Sequence, residues 1–191
     1  MRLDWYERKL EIARKVLEGD RKAKYGSDVD LGGFARAPAG AKFESLAELG
    51  ELERASMGKA GLREDGGRLG TFIVYDGSLA YSEFMGERGL AAYESGGLVL
   101  ASIDEALSRY PDVLSKYWFG VVPVGLDKYS AYVALNRTGG LFAWAREGAK
   151  VDRPVQACFF MGGLDKAVQA PHNVIVAEDG FRIRSMDASK I

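Results

Sequence analysis

Apolar residues at Leu3, Tyr6, Leu10, Ala13 and Leu17 recur at alternating intervals of three and four, the spacing that lines one face of an α-helix. Asp4 and Glu7 stand at its start like a capping box, and Gly19 follows its last turn. Arg8, Lys9, Glu11, Arg14 and Lys15 cover the opposite face and read as solvated surface. From Asp20 to Lys42 the period vanishes, and Gly32, Gly33, Pro38 and Gly40 interrupt the chain. This predicts a long flexible connection, a hinge or a docking strip. A second helix is expected from Ser45 to Met57, with Ser45 and Glu48 as its capping box, Leu46, Leu49 and Leu52 as its apolar stripe, and Gly58 and Gly61 at its end.

Beyond Gly70 the pattern shifts towards strands. Thr71 to Tyr75 reads as one strand, Asp76-Gly77 as a turn, and Leu79 to Phe84 as its hairpin partner. Gly97 to Ala101 is another short strand. Ser102 and Glu105 then open a helix carrying Ile103, Ala106, Leu107 and Tyr110; Pro111 closes it and suits the first turn of the next, which runs to about Trp118. After Gly139 the short apolar runs Leu141 to Ala145, Val155 to Phe160 and Asn173 to Ala177 follow one another with no helix between them. A boundary near residue 138 is expected on that change of character, dividing the chain into 1–138 and 139–191.

Within the second part the chain matches itself. Leu141-Phe142-Ala143-Trp144-Ala145-Arg146-Glu147-Gly148 aligns with Asn173-Val174-Ile175-Val176-Ala177-Glu178-Asp179-Gly180, and the match continues through Lys150-Val151 and Arg182-Ile183. Each copy is a strand, an acid-Gly turn and a basic-apolar pair. This suggests stacked coils of a solenoid, each burying its face on the next, with an antiparallel meander as the alternative.

Composition narrows the function classes. With 26 Lys+Arg against 27 Asp+Glu the net charge is −1, which gives no broad electrostatic footprint for nucleic acid or an anionic membrane. At 47% hydrophobic and 28% charged residues the chain is composed like a globular domain, and no apolar run approaches the roughly 20 residues that span a bilayer. The N-terminus lacks the order of a signal peptide, so a cytoplasmic location is expected. One Cys and one His exclude an intramolecular disulfide, a Cys/His zinc site and a four-thiolate cluster built from this chain alone.

Taken in order, Asp104 to Leu107, Tyr110-Pro111, Lys116-Tyr117-Trp118, Val121 to Val124, Asp127-Lys128-Tyr129 and Ala131 to Leu135 resemble the approach to the core of the SufB/SufD family of iron–sulfur cluster assembly. Gly139 to Phe142, Gly148 to Val151, Pro154 to Phe160 and His172 to Val176 resemble that family's first core strands. The resemblance covers about residues 98 to 180; residues 1 to 97 fit by position and general character. It implies an α+β chain in which a mixed helical N-terminal domain feeds the first coils of a right-handed parallel β-helix. It also implies a scaffold role, with a SufC-like ABC ATPase and a SufB- or SufD-like chain as partners. The family's β-helix continues for many more coils, whereas this chain leaves the pattern after Asp179-Gly180 and reads as an N-terminal piece, truncated within the β-helix. The Cys and His positions proposed to assemble clusters lie in the missing part, so none is carried over, and self-association through an open β-helix edge is expected. An iron–sulfur cluster is expected only in a full assembly complex.

The remaining chemistry is sparse. Cys158 sits in the alternating run Val155 to Met161 and reads as a small buried hydrophobe, the alternative being contact with a cluster or sulfur donor where two chains meet. His172, after Pro171, is expected to be structural. Gly58-Lys59 lacks the rest of a phosphate loop, and no Gly-x-Ser-x-Gly elbow is present. Asp152, Glu178 and Asp179 fall at turns and read as solvated charge. A groove of catalytic acids, as in a carbohydrate-active β-helix enzyme, is the alternative to the scaffold, and a generic protein-interaction module the third reading. Tyr117, Trp118, Tyr129, Tyr132 and Trp144 are expected in core or junction packing rather than sugar stacking. No catalytic, cofactor or metal residue is assigned.

Overall fold

The structure, a computed structural model, describes residues 3–36, 42–59, 61, 67–89, 92–162 and 166–180. It is a mixed α+β protein. Helix α1 spans Asp4–Glu18 and buries Ala13 completely. No side-chain cap forms at its start: Leu3 is the N-cap residue, and its carbonyl takes the Tyr6 and Glu7 amides. The Asp4–Glu7 box is therefore not made, and both carboxylates lie inside the first turn, where the helix dipole favours them.

The expected helix from Ser45 to Met57 is two pieces. Ser45 does cap, accepting the Ala47 amide, but only a 3₁₀ turn over Leu46–Glu48. Leu49 then takes an extended conformation and drops into the core, and helix α2 restarts over Glu51–Lys59. That break rotates the stripe, so Leu49 and Met57 are buried while Leu52 is 76% exposed. The segment before it, residues 20–36, is short of regular structure but tied down: Val29 N donates to Tyr129 Oη at 2.7 Å, and Lys128 Nζ pairs with Asp28 at 2.9 Å. Pro38 and Gly40 of the expected hinge lie outside the described residues.

Strand β1 is Ala35–Arg36. The hairpin of β2 (Gly70–Tyr75) and β3 (Ser78–Phe84) forms as expected, its turn held by positive φ at Asp76 and Gly77. Two strands absent from the sequence reading follow, β4 (Glu87–Arg88) and β5 (Ala92–Ser95), then β6 (Leu98–Ser102). Ser102 caps helix α3 (Ile103–Arg109) by accepting the Glu105 amide, and Pro111 occupies the first turn of α4 (Pro111–Tyr117). Helix α5 (Lys128–Asn136) packs on α1. Four short strands follow among the described residues: β7 (Leu141–Ala145), β8 (Val155–Phe160), β9 (Ala167–Val168) and β10 (Val174–Ala177).

The strands make three sheets, ordered β10-β7-β6-β5, β4-β3-β2-β8 and β1-β9. Their path is the informative part. From Leu141 the chain runs along the first sheet in β7, crosses to the second in β8 and to the third in β9, and returns to the first in β10. There it lies parallel to β7 with Val174 opposite Phe142 and Ala177 opposite Ala145. This is one turn of a coil, and its ladder register is the one given by the internal sequence match. The meander alternative is excluded for this pair, since β7 and β10 run parallel; the Arg182-Ile183 end of the match lies outside the described residues.

Side-chain alternation explains how the coil is filled. Leu98, Leu100, Leu141 and Ala145 on one face of the first sheet meet Phe72, Val74 and Phe84 of the second, forming the coil interior. Val99, Ala101, Phe142, Val174 and Val176 on the other face meet the helices around Trp118. The outer face of the second sheet is covered from the α2 side by Leu49 and Met57 against Ile73 and Tyr81. Fully burying a side chain the size of Phe72 or Phe142 contributes about 2–3 kcal/mol, so this layering on both faces of two sheets is the main source of stability. Strands before and after residue 138 pair directly, β6 with β7 and β2 with β8. Among the described residues no helix is long and apolar enough to cross a membrane.

Candidate functional site

All three sheets end on strands of the same turn. β8, β9 and β10 each stand at a sheet edge, with no further strand paired outside them among the described residues. Among the described residues no strand covers that end of the coil. Ile175 stands opposite Ala143, on the face that fills the coil interior, and is 61% exposed, with no described strand stacked beyond it. β10 reads Val-Ile-Val-Ala, with none of the charges, prolines or bulges that blunt an exposed edge.

Beside that edge lies a groove of about 700 Å³ between the α4–α5 connection, the start of α5 and residues 171–175. Tyr117, Val121, Val122 and Ile175 line it, and they are 46%, 96%, 51% and 61% exposed. Isolated apolar residues on a surface mean little, but these four gather around one groove beside the edge strand β10 and form an exposed apolar patch. Helix α5 fixes one wall through its N-cap. Asp127 Oδ1 accepts the Tyr129 and Ser130 amides at 3.0 Å each, Ser130 Oγ accepts the Asp127 amide at 3.1 Å, and Lys24 N donates to Asp127 Oδ2 at 3.2 Å. Burial pushes the Asp127 carboxyl up, but the donors from Ser130, Lys24 and Tyr129 outweigh it and hold the carboxyl below its usual range.

His172 locks the return of the chain into β10. Its ring stacks on Trp118 at 4.4 Å between centroids and meets the edge of Phe119 at 4.2 Å. Burial, with Arg137 nearby, pushes its pKa down to about 4. Gly140 lies at φ +141°, and a Cβ there would overlap the His172 carbonyl. Arg137, over the Trp118 ring at 5.9 Å, pairs with Asp104 at 2.6 Å. His172 thus has a packing role in this structure.

Cys158 is half-buried on β8, against the cluster of Leu49, Met57, Ile73 and Tyr81, and burial pushes its thiol up. It packs on the outer face of the second sheet, whereas His172 packs on the helical side of the first. Among the described residues no group of three or more His, Cys, Asp and Glu could hold a metal ion. The turn acids divide. Asp152 and Asp179 are exposed, but Glu178 accepts Trp144 Nε1 at 2.8 Å and Glu147 N at 2.9 Å, tying the end of β10 to the coil before it. Of the aromatics, Trp118 is fully buried and Trp144 partly, while Tyr117 is out on the groove. Gly58-Lys59 closes helix α2 and forms no phosphate loop.

No protein-family model matches the chain. Curated proteins do. Two from Methanothermobacter thermautotrophicus, strains Winter and Delta H, are 34% and 32% identical over 183 and 182 residues, and a third from Pyrococcus horikoshii is 27% identical over 148. All three are named iron–sulfur cluster assembly SufBD family proteins, which bears out the resemblance read from the sequence and supports a family-level role in cluster assembly. The match takes in 92% of this chain and 41% of the Winter-strain relative. The chain thus spans about two fifths of the length of that relative.

Proposed function

We propose that this chain is a SufBD-type scaffold component of iron–sulfur cluster assembly in the cytoplasm, acting through protein partners at the open end of its coil. The observation that supports it is the turn from β7 through β8 and β9 to β10, closed in parallel register in a chain whose relatives carry the SufBD name. On this reading the turn is the first coil of a right-handed parallel β-helix. Its uncovered edge takes a further strand, from a second copy in the isolated chain and from SufB- or SufD-like β-helix in the assembly, which a SufC-like ABC ATPase serves. The chain supplies no catalytic group and holds no cluster by itself, in keeping with its single Cys and single His. The cluster is cargo of the whole assembly.

Co-purification tests this. The tagged chain, co-expressed with the SufC-like ATPase and the SufB- or SufD-like protein of its own organism, should carry both through size exclusion. Recovery of the tagged chain without either would contradict the proposal.

A further inference from the structure

The segment between α1 and β1 is held in place without a core of its own. Every residue from Asp20 to Asp30 except Ala23 is exposed, none belongs to a buried cluster, and the large side chains Tyr25 and Val29 are 74% and 44% exposed. Polar contacts to the start of α5 hold it instead. Lys24 N donates to Asp127 Oδ2 at 3.2 Å, Val29 N to Tyr129 Oη at 2.7 Å, Tyr129 Oη to the Ser27 carbonyl at 3.3 Å, and the Arg21 guanidinium to the Gly125 carbonyl. Asp28 ties the segment together, accepting the Ala23 amide at 2.9 Å and pairing with Lys128 Nζ at 2.9 Å. The two ends are fixed separately. On one side α1 packs on α5; on the other, Asp30 accepts the Gly32 amide at 2.9 Å and caps the 3₁₀ turn Leu31–Gly33, ahead of β1, which pairs with β9.

We propose that residues 20–30 form a strap that lifts off α5 as one unit while the core stays folded. Lys128 is its latch. It stands at the first position of α5, where the helix dipole disfavours a cation, and it is 8% exposed. Asp28 and the Val29 carbonyl, both on the strap, take its ammonium. When the strap lifts, the flexible lysine stem takes the charge out to water, so the open state leaves no buried charge behind. Ala131 and Ala134 of α5 stay packed in the cluster that holds Ala13 and Trp118. Opening therefore gives up polar contacts and no core burial, which places the strap at the low-stability end of the fold. It also reaches the groove. Asp127 and Tyr129 both hold the strap and line the groove, so the open state frees Asp127 Oδ2 and the Tyr129 hydroxyl on that wall. The strap is a property of the folded chain, whatever the groove binds.

Hydrogen exchange of the full chain, followed by NMR at the Ala23, Lys24 and Val29 amides, tests the strap. After correction for intrinsic rates, the three should exchange through one shared opening, at least about tenfold faster than the Val99 and Ala101 amides of the core. Raising NaCl from about 0.05 M to about 1 M should speed the three together by about threefold. Asp28→Asn, which keeps an acceptor for the Ala23 amide, should speed all three about tenfold. Tyr129→Phe, whose lost hydroxyl meets Val29 and Ser27, should speed Ala23 and Lys24 along with Val29. Val99 and Ala101 should keep their rates in both variants. Unrelated opening rates at the three amides, exchange of the three only together with Val99, or variants that each speed only the amide they contact would overturn the proposal.

Discussion

Three residues carry consequences that can be measured one at a time. His172 is held neutral by burial and by Arg137, with its pKa brought down to about 4. The unfolded chain takes up that proton at the ordinary histidine value near 6.5, so the unfolded state binds more protons and stability falls as pH drops through the interval between the two. Urea denaturation from about pH 7 to about pH 4.5 should therefore show a loss of roughly 2–3 kcal/mol that His172→Phe, which keeps an aromatic ring against Trp118, does not share. Gly140 is the second. A Cβ there meets the His172 backbone and sits on a backbone conformation that L residues rarely adopt, so Gly140→Ala should cost about 2–4 kcal/mol, read from the same curves. Cys158 is the third: the half-buried thiol with its raised pKa should alkylate slowly in the native protein, and Cys158→Ser should cost about 1–2 kcal/mol.

At the scale of elements, what could be read from sequence was whatever depended on local pattern. The β2–β3 hairpin, the Ser102 cap and strands β7, β8 and β10 were all legible, because alternation, an Asp-Gly turn and a Ser-x-x-Glu signal act over a few residues. Helix α5 was not. Its inner face is built from Ser130, Ala131 and Ala134, with the stem of Lys128 buried beside them, and small or charged residues give no apolar stripe. Its cap is Asp127 with Ser130 rather than the Ser-x-x-Glu signal read at Ser45 and Ser102. The same cap carries a prediction: Asp127→Ala frees the Tyr129, Ser130 and Lys24 amides and should cost about 1–2 kcal/mol. The loss should appear first as faster hydrogen exchange in α5 and residues 22–29. The strands β1 and β9 carry no sequence signal because two residues leave no period. They are set by the coil that brings them together.

At the scale of the molecule, the site was legible only as an expectation of an open edge. The internal match between residues 141–148 and 173–180 supplied the ladder register, since a repeat in a coil must stack like on like. That β8, β9 and β10 all stand at sheet edges among the described residues, and that Tyr117, Val121 and Val122 lie beside one of them, are consequences of long-range pairing that no local window contains. The central claim is that this open end is an interaction surface, and light scattering on size-exclusion fractions tests it most directly. The account predicts that the mass of the wild-type chain rises from one copy towards two with concentration, and that Ile175→Lys, which places a charge on the uncovered interior face, remains at one copy throughout. A wild-type chain that stays at one copy at every concentration, or association that Ile175→Lys leaves unchanged, would contradict it.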